Sequence, residues 1–188
     1  METYLIRHTS VGVAPGICYG QTDVALADSF EVERDDVWKK IPPSPIFRVY
    51  SSPLTRCRRL AESFGNDEIQ FDARLMELNF GEWEMQKWDD IGLGALNAWS
   101  EDAAFTRCPN GESFLDQYHR TVAFWEEFIT AQDERPTLII THGGVIRALI
   151  AHLLDMPLAK SLQLGVDFGG VTKISLMEHV PIIHFMNR

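Results

Sequence analysis

The chain is predicted to adopt an α/β fold, a three-layer sandwich with a mostly parallel central sheet flanked by helices and a small helical or irregular lid. Three βα units predict it. The apolar runs at residues 3–6, 46–50 and 137–141 each read as a strand feeding a turn and then a helix with apolar spacing near 3.6. At 188 residues, with no Pro/Gly/Ser-rich or charge-rich linker, residues 1–188 are expected to form one domain with a full core.

The first strand, Thr3-Tyr4-Leu5-Ile6, runs into Arg7-His8-Thr9, so a cation and an imidazole arrive together at a strand's end, where open α/β sheets bind ligands. The second leads into Ser51-Ser52-Pro53. A serine cap and a proline in the first turn are expected to start a helix carrying Leu54, Cys57, Leu60, Ala61 and Phe64 and ending near Gly65-Asn66. Arg56 then lies in the first turn, beside backbone N–H groups that also favour anions.

A further helix is expected from near Gly111-Glu112-Ser113 through Phe114, Tyr118, Val122, Trp125 and Ile129, covering the sheet. The third strand ends on His142-Gly143-Gly144, and its helix carries Val145, Ile146, Leu149, Ile150 and Leu153 before stopping short of Pro157. Residues 171–176 alternate and residues 182–185 follow across Pro181, a pattern suited to a strand pair. The stretch at about 80–110 holds Trp83, Trp88 and Trp99 among glycines and acids. It reads as too irregular for a core element and as the natural lid.

Seventeen basic against 27 acidic residues give a net charge of −10, which repels nucleic acid and anionic membrane surfaces, so an anionic substrate must meet a locally basic pocket. The start has no signal-peptide pattern, and no run nears the roughly 20 apolar residues of a membrane helix, so a cytoplasmic location is expected. Cys18, Cys57 and Cys108, odd in number and far apart, read as reduced structural residues.

Arg7, Arg56, His8 and His142 are expected to converge. Two guanidiniums, two imidazoles and a helix N-terminus suit a small phosphomonoester. Rival chemistries lack their motifs. The residues six positions after the cysteines are Val24, Ser63 and Phe114, so a cysteine-phosphatase loop is absent. No serine elbow, Walker loop or metal-ligand spacing occurs, so no metal or cofactor is expected and histidine is left as the nucleophile.

Leu5-Ile6-Arg7-His8, Ser51-Ser52-Pro53-Leu54-Thr55-Arg56, Glu77-Leu78-Asn79-Phe80-Gly81-Glu82-Trp83-Glu84 and Thr141-His142-Gly143-Gly144 resemble, in this order, the motifs of the histidine phosphatase (phosphoglycerate mutase-like) superfamily. The resemblance spans most of the chain. It implies a phosphomonoesterase with His8 as the phosphorylated nucleophile, Glu77 as proton donor, and Arg7, Arg56, His142 and Gly143 on the phosphate. Neighbouring cations would lower the basicity of His8 and keep it unprotonated for attack. Glu82 and Glu84 are rivals for the proton. The branch that takes its acid from an aspartate after the second histidine is excluded by Gly143.

Arg7-His8-Thr9 and the segment Gly16-Ile17-Cys18-Tyr19-Gly20-Gln21-Thr22-Asp23-Val24-Ala25-Leu26 are most similar to the α-ribazole phosphatases. That implies α-ribazole 5′-phosphate as substrate, in cobalamin biosynthesis, with Thr9, Tyr19, Gly20, Gln21 and Trp83 contacting it. Trp88 and Trp99 either join an aromatic rim or pack the lid onto the sheet. Two departures stand out: Thr9-Ser10-Val11 replaces the usual continuation after the histidine, and Ala14 falls where many relatives carry a phosphate-contacting asparagine. Alternatives are a broad-specificity phosphatase, a mutase-type phosphotransferase and a non-catalytic phospho-ligand-binding module.

Overall fold

The computed structural model describes the chain except residues 44–46, 67, 93, 95, 97, 98, 100, 103, 131–134 and 178–179. Its strands are β1 (Glu2–Arg7), β2 (Arg48–Ser51), β3 (Ile69–Phe71), β4 (Thr137–Thr141), β5 (Val171–Met177) and β6 (Val180–Phe185). They form one six-stranded sheet in the order β3-β2-β4-β1-β5-β6. The pairs β3/β2, β2/β4 and β4/β1 are parallel, and β1/β5 and β5/β6 are antiparallel. The helices are α1 (Phe30–Lys40), α2 (Thr55–Glu62), α3 (Phe114–Thr130), α4 (Gly143–Leu153) and the short α5 (Leu158–Ser161).

Alternation along the strands makes the three layers. On one face Tyr4, Ile6, Leu138 and Ile140 pack with Val37 of α1 and Cys57 and Leu60 of α2. On the other, Leu5 and Ile139 pack with Phe124, Trp125 and Phe128 of α3 and Ile146, Leu149 and Ile150 of α4. Each such aliphatic side chain removed from water contributes about 1.5–3 kcal/mol. Every residue of β4 is buried, as expected of a parallel strand covered on both faces.

Register levels the strand ends. Arg7 lies opposite Thr141 and Ser51 opposite Ile140. The backbone N–H of His8 donates to Thr141 O at 3.0 Å, and that of Ser52 to Ile140 O at 3.0 Å. The residues that follow β1, β2 and β4 therefore emerge side by side at one edge.

Several local expectations differ. Helix α2 starts at Thr55 with Leu54 at the cap position and no cap from its own side chain. A distant residue does the capping: the Asp23 carboxylate accepts from Thr55 N at 2.9 Å and Thr55 Oγ1 at 2.6 Å. The second strand begins at Arg48, Ile46 lying outside the described residues. Helix α1 and strand β3 carry no pattern in the sequence: α1 buries only Phe30 and Val37, and β3 is a three-residue edge strand with Gln70 and Phe71 exposed.

The stretch read as too irregular for a core carries one of its own. Trp83, Ile91 and Cys108 are buried with Cys18 and Leu78, and Phe80, Trp88, Leu96 and Trp99 pack against them. Backbone bonds Cys18 N to Gln86 O (2.9 Å) and Met85 N to Cys18 O (2.7 Å) stitch it to the loop after β1. Among the described residues no helix is long and apolar enough to cross a membrane.

Candidate active site

A cleft of about 110 Å³ opens at the levelled strand ends, lined by Arg7, His8, Ile17, Cys18, Tyr19, Gly20, Arg56, Glu77, Phe80 and Trp88. His8 is buried, and its Nδ1 lies 2.7 Å from Thr9 O. A carbonyl only accepts, so Nδ1 carries the ring proton and Nε2 keeps its lone pair. His142, at the cap position of α4, is also buried, with Nε2 2.8 Å from Ser52 Oγ and 3.4 Å from Cys57 Sγ. The two rings meet edge to face.

Both imidazoles are held well below their ordinary basicity. Burial is the leading cause for each, followed by Arg56 for His8 and by His8 itself for His142. The sequence reading gave the neighbouring cations that role; burial outweighs them because neither ring keeps water around it.

Arg56 is wholly buried. It donates from Nη1 to Thr22 O at 3.0 Å and from Nη2 to Gly20 O at 2.6 Å. Arg7 donates from Nη1 to Val166 O at 2.6 Å and lies 3.9 Å from the Phe168 ring centre. Each guanidinium is thus fixed by backbone while its buried Nε–H has no protein partner. An unpartnered cationic N–H is costly, and an oxyanion in the cleft offsets that cost.

Glu77 stands on the cleft wall. Its Oε1 accepts from Gln117 Nε2 at 2.8 Å and Leu78 N at 2.9 Å, and its Oε2 from Gly144 N at 3.2 Å. Its rivals are committed elsewhere. Glu84 accepts from Gln21 N, Phe80 N, Thr22 N and Thr22 Oγ1, fastening one loop to another, and Glu82 is exposed and bonded to Asn110.

The other expected contacts divide. Tyr19 and Gly20 line the cleft, and a Cβ at Gly20 would lie 2.0 Å from Leu78 O. Gly143 approaches Arg7 closely, a Cβ there falling 3.6 Å from Nε. Gln21 instead donates from Nε2 to the backbone oxygen of Glu77 at 3.0 Å. Thr9 is fully buried, with Oγ1 unpartnered and its carbonyl on His8. Trp83 lies inside the small core, and Phe80 and Trp88 take the wall position expected of it. Ala14 is exposed.

Ser52, Gln117 and Phe168 were not anticipated. Gln117 had a signal: it is a polar residue in the stripe Phe114, Gln117, Thr121, Phe124, Phe128 that α3 buries. Among the described residues no three His, Cys, Asp or Glu side chains group to hold a metal ion.

The model of the histidine phosphatase superfamily (branch 1) matches residues 3–188. Adenosylcobalamin/alpha-ribazole phosphatase of Salmonella typhimurium is 29% identical over 195 residues, covering 100% of this chain and 96% of that protein. Glucosyl-3-phosphoglycerate phosphatase of Mycobacterium tuberculosis is 30% identical over 175 residues, covering 85% and 77%. The crystal structure of the alpha-ribazole phosphatase from Shigella flexneri superposes with a TM-score of 0.91 at 25% identity, covering 100% of this chain and 96% of that one.

Proposed function

The chain belongs to the histidine phosphatase superfamily, and on that premise we propose that it is a phosphomonoesterase that dephosphorylates α-ribazole 5′-phosphate, working through a phosphohistidine. The observation that carries the reading is the cleft itself. The free Nε2 of His8 shares it with Glu77 and with two guanidiniums whose buried Nε–H groups lack partners.

In the first half-reaction His8 Nε2 attacks phosphorus in line, the ester P–O bond breaks, and Glu77 gives its proton to the leaving oxygen. Arg7, Arg56, His142 and the backbone N–H of Gly143 hold the equatorial oxygens, where charge is stabilised without reorganisation. In the second, ionised Glu77 takes a proton from water as that water attacks phosphorus. The P–N bond breaks, inorganic phosphate leaves, and His8 is restored.

The substrate assignment rests on the relatives that cover nearly the whole chain and on the wall chemistry. Tyr19, Phe80 and Trp88 give the cleft aromatic surface suited to a flat, largely apolar base. We read residues 1–188 as one unit in the cytoplasm, with the segment at 80–110 as its lid.

The test compares kcat/KM on α-ribazole 5′-phosphate, 3-phosphoglycerate and common nucleotides, with chelator present. α-Ribazole 5′-phosphate is expected to lead. Equal use of the others would assign a broad phosphatase, and phosphate transfer between sugar acids a mutase. A lack of p-nitrophenyl phosphate hydrolysis from pH 5 to 8 would leave a phospho-ligand-binding module.

A further inference from the structure

Gln117 projects from α3 into the region behind the cleft and is fully buried. Its Nε2 donates to Glu77 Oε1, while its own Oε1 has no hydrogen-bond partner. A buried amide that leaves its acceptor unused is a cost to folding, and an apolar side chain of the same size would avoid it. The chemistry of its one partner supplies a reason for it.

That partner is asymmetric. Oε1 of Glu77 accepts two bonds, from Gln117 and from Leu78 N, at 2.8 and 2.9 Å, whereas Oε2 accepts one longer bond from Gly144 N at 3.2 Å. The space is cut to fit: a Cβ on Gly144 would lie 2.3 Å from Glu77 Oε1 and 2.6 Å from Gln117 Oε1. We propose that Gln117 is a positioning residue for proton transfer, saturating Oε1 of Glu77 so that Oε2 is the atom that gives a proton to the leaving oxygen and takes one from water. The inference rests on the reading of Glu77 as the general acid.

The charged groups around Glu77 do not substitute for this contact. Arg120 of α3 reaches its backbone oxygen at 2.8 Å, Arg147 of α4 feels its charge, and Arg7 and Arg56 lie across the cleft. All are arginines, which hold their charge across the working range. His8 faces it with its basicity lowered, and burial raises the titration of Tyr19 and of the Cys18 and Cys57 thiols, so these four stay neutral.

The experiment is Gln117→Met, which keeps the length and removes the donor, assayed with phenyl phosphate and p-nitrophenyl phosphate. General acid catalysis supplies about 10²–10⁴-fold in rate, so losing its alignment is expected to cost about 10-fold to 100-fold in kcat on phenyl phosphate. The loss on p-nitrophenyl phosphate, whose leaving group hardly needs a proton, is expected to be much smaller, with KM and the thermal midpoint unchanged.

Equal losses on both substrates, or none, would overturn the proposal. If Gln117→Met fails to fold, Gln117→Glu keeps the volume and sets a second carboxyl against the first. Its loss must again be larger on phenyl phosphate than on p-nitrophenyl phosphate, and equal losses overturn the proposal. Glu77→Gln separates the two readings: if it shows no leaving-group dependence the acid assignment itself fails, whereas dependence there without dependence in Gln117→Met sinks only this inference.

Discussion

His8 and His142 face each other edge to face, ring centroids 5.1 Å apart, both buried and both held neutral. In the unfolded chain each titrates near 6.5. Below that pH the unfolded state binds protons that the folded state refuses, so the stabilising effect is complete above 6.5 and is lost as pH falls. Two such groups give a slope of up to about 2.7 kcal/mol per pH unit. Denaturant unfolding at pH 7.5, 6 and 5 checks this, and His142→Gln is expected to reduce the slope by about half. A flat profile contradicts it.

Gly144→Ala places a methyl group where Glu77 Oε1 and Gln117 Oε1 now sit. Glu77 must move, so kcat on phenyl phosphate is expected to fall about 10²-fold, the low end of what general acid catalysis supplies. The melting temperature should change little, since alanine is at home in a helix. Steady-state kinetics beside a thermal melt decide it. A large drop in melting temperature would mean that the fold, not the acid, took the strain.

Arg120 holds the backbone beneath the acid, donating to the carbonyls of Arg74 (2.7 Å), Met76 (2.6 Å) and Glu77 (2.8 Å) while pairing with Glu112 at 2.9 Å. Arg120→Ala removes this donor from the carbonyls of Arg74 and Met76 and leaves Glu77 O with Gln21 Nε2 and the partly buried Glu112 carboxylate with Asn79 N, an expected loss of about 3 kcal/mol in urea unfolding. Arg120→Lys is expected to recover only part of it, because an ammonium cannot span the same fork.

Phe168 covers one face of Arg7 and lies 5.5 Å from the His8 ring. Phe168→Ala removes a cation–π contact of about 1 kcal/mol, which corresponds to roughly a fivefold rise in KM for p-nitrophenyl phosphate if Arg7 loses its fixed aim. An unchanged KM would show that Val166 O alone is enough to hold the guanidinium.

Much of the candidate site was legible because Arg7, His8, Arg56 and His142 follow apolar strands, where local pattern and motif coincide, while Glu77 was marked by its motif alone. Arg7, His8, Arg56, Glu77 and His142 all occupy the region expected of them. The illegible parts depend on long-range contacts. Asp23 caps α2 from 32 residues away, a bond no local rule anticipates. The solvated helix α1 holds itself with pairs such as Asp36–Lys39 and shows little apolar stripe to read. Trp83 lies in the recognised motif and Trp88 outside it, yet packing sends Trp83 into the small core and Trp88 to the cleft wall.

The sequence by itself determined the layers and the side chains that gather at the cleft. Apolar runs and helical stripes are properties of neighbouring residues, and so is the pairing of a reactive side chain with a strand's end. Tertiary structure alone decided how these parts act together. The register of β1 against β4 and of β2 against β4 brings His8, Ser52 and His142 level. Backbone carbonyls from loops distant in sequence occupy the ends of both guanidiniums and leave their Nε–H groups over, and Gln117 with Gly144 fixes Glu77. These are relations between segments far apart in the chain, set by which surfaces can be buried together, and no local pattern carries them.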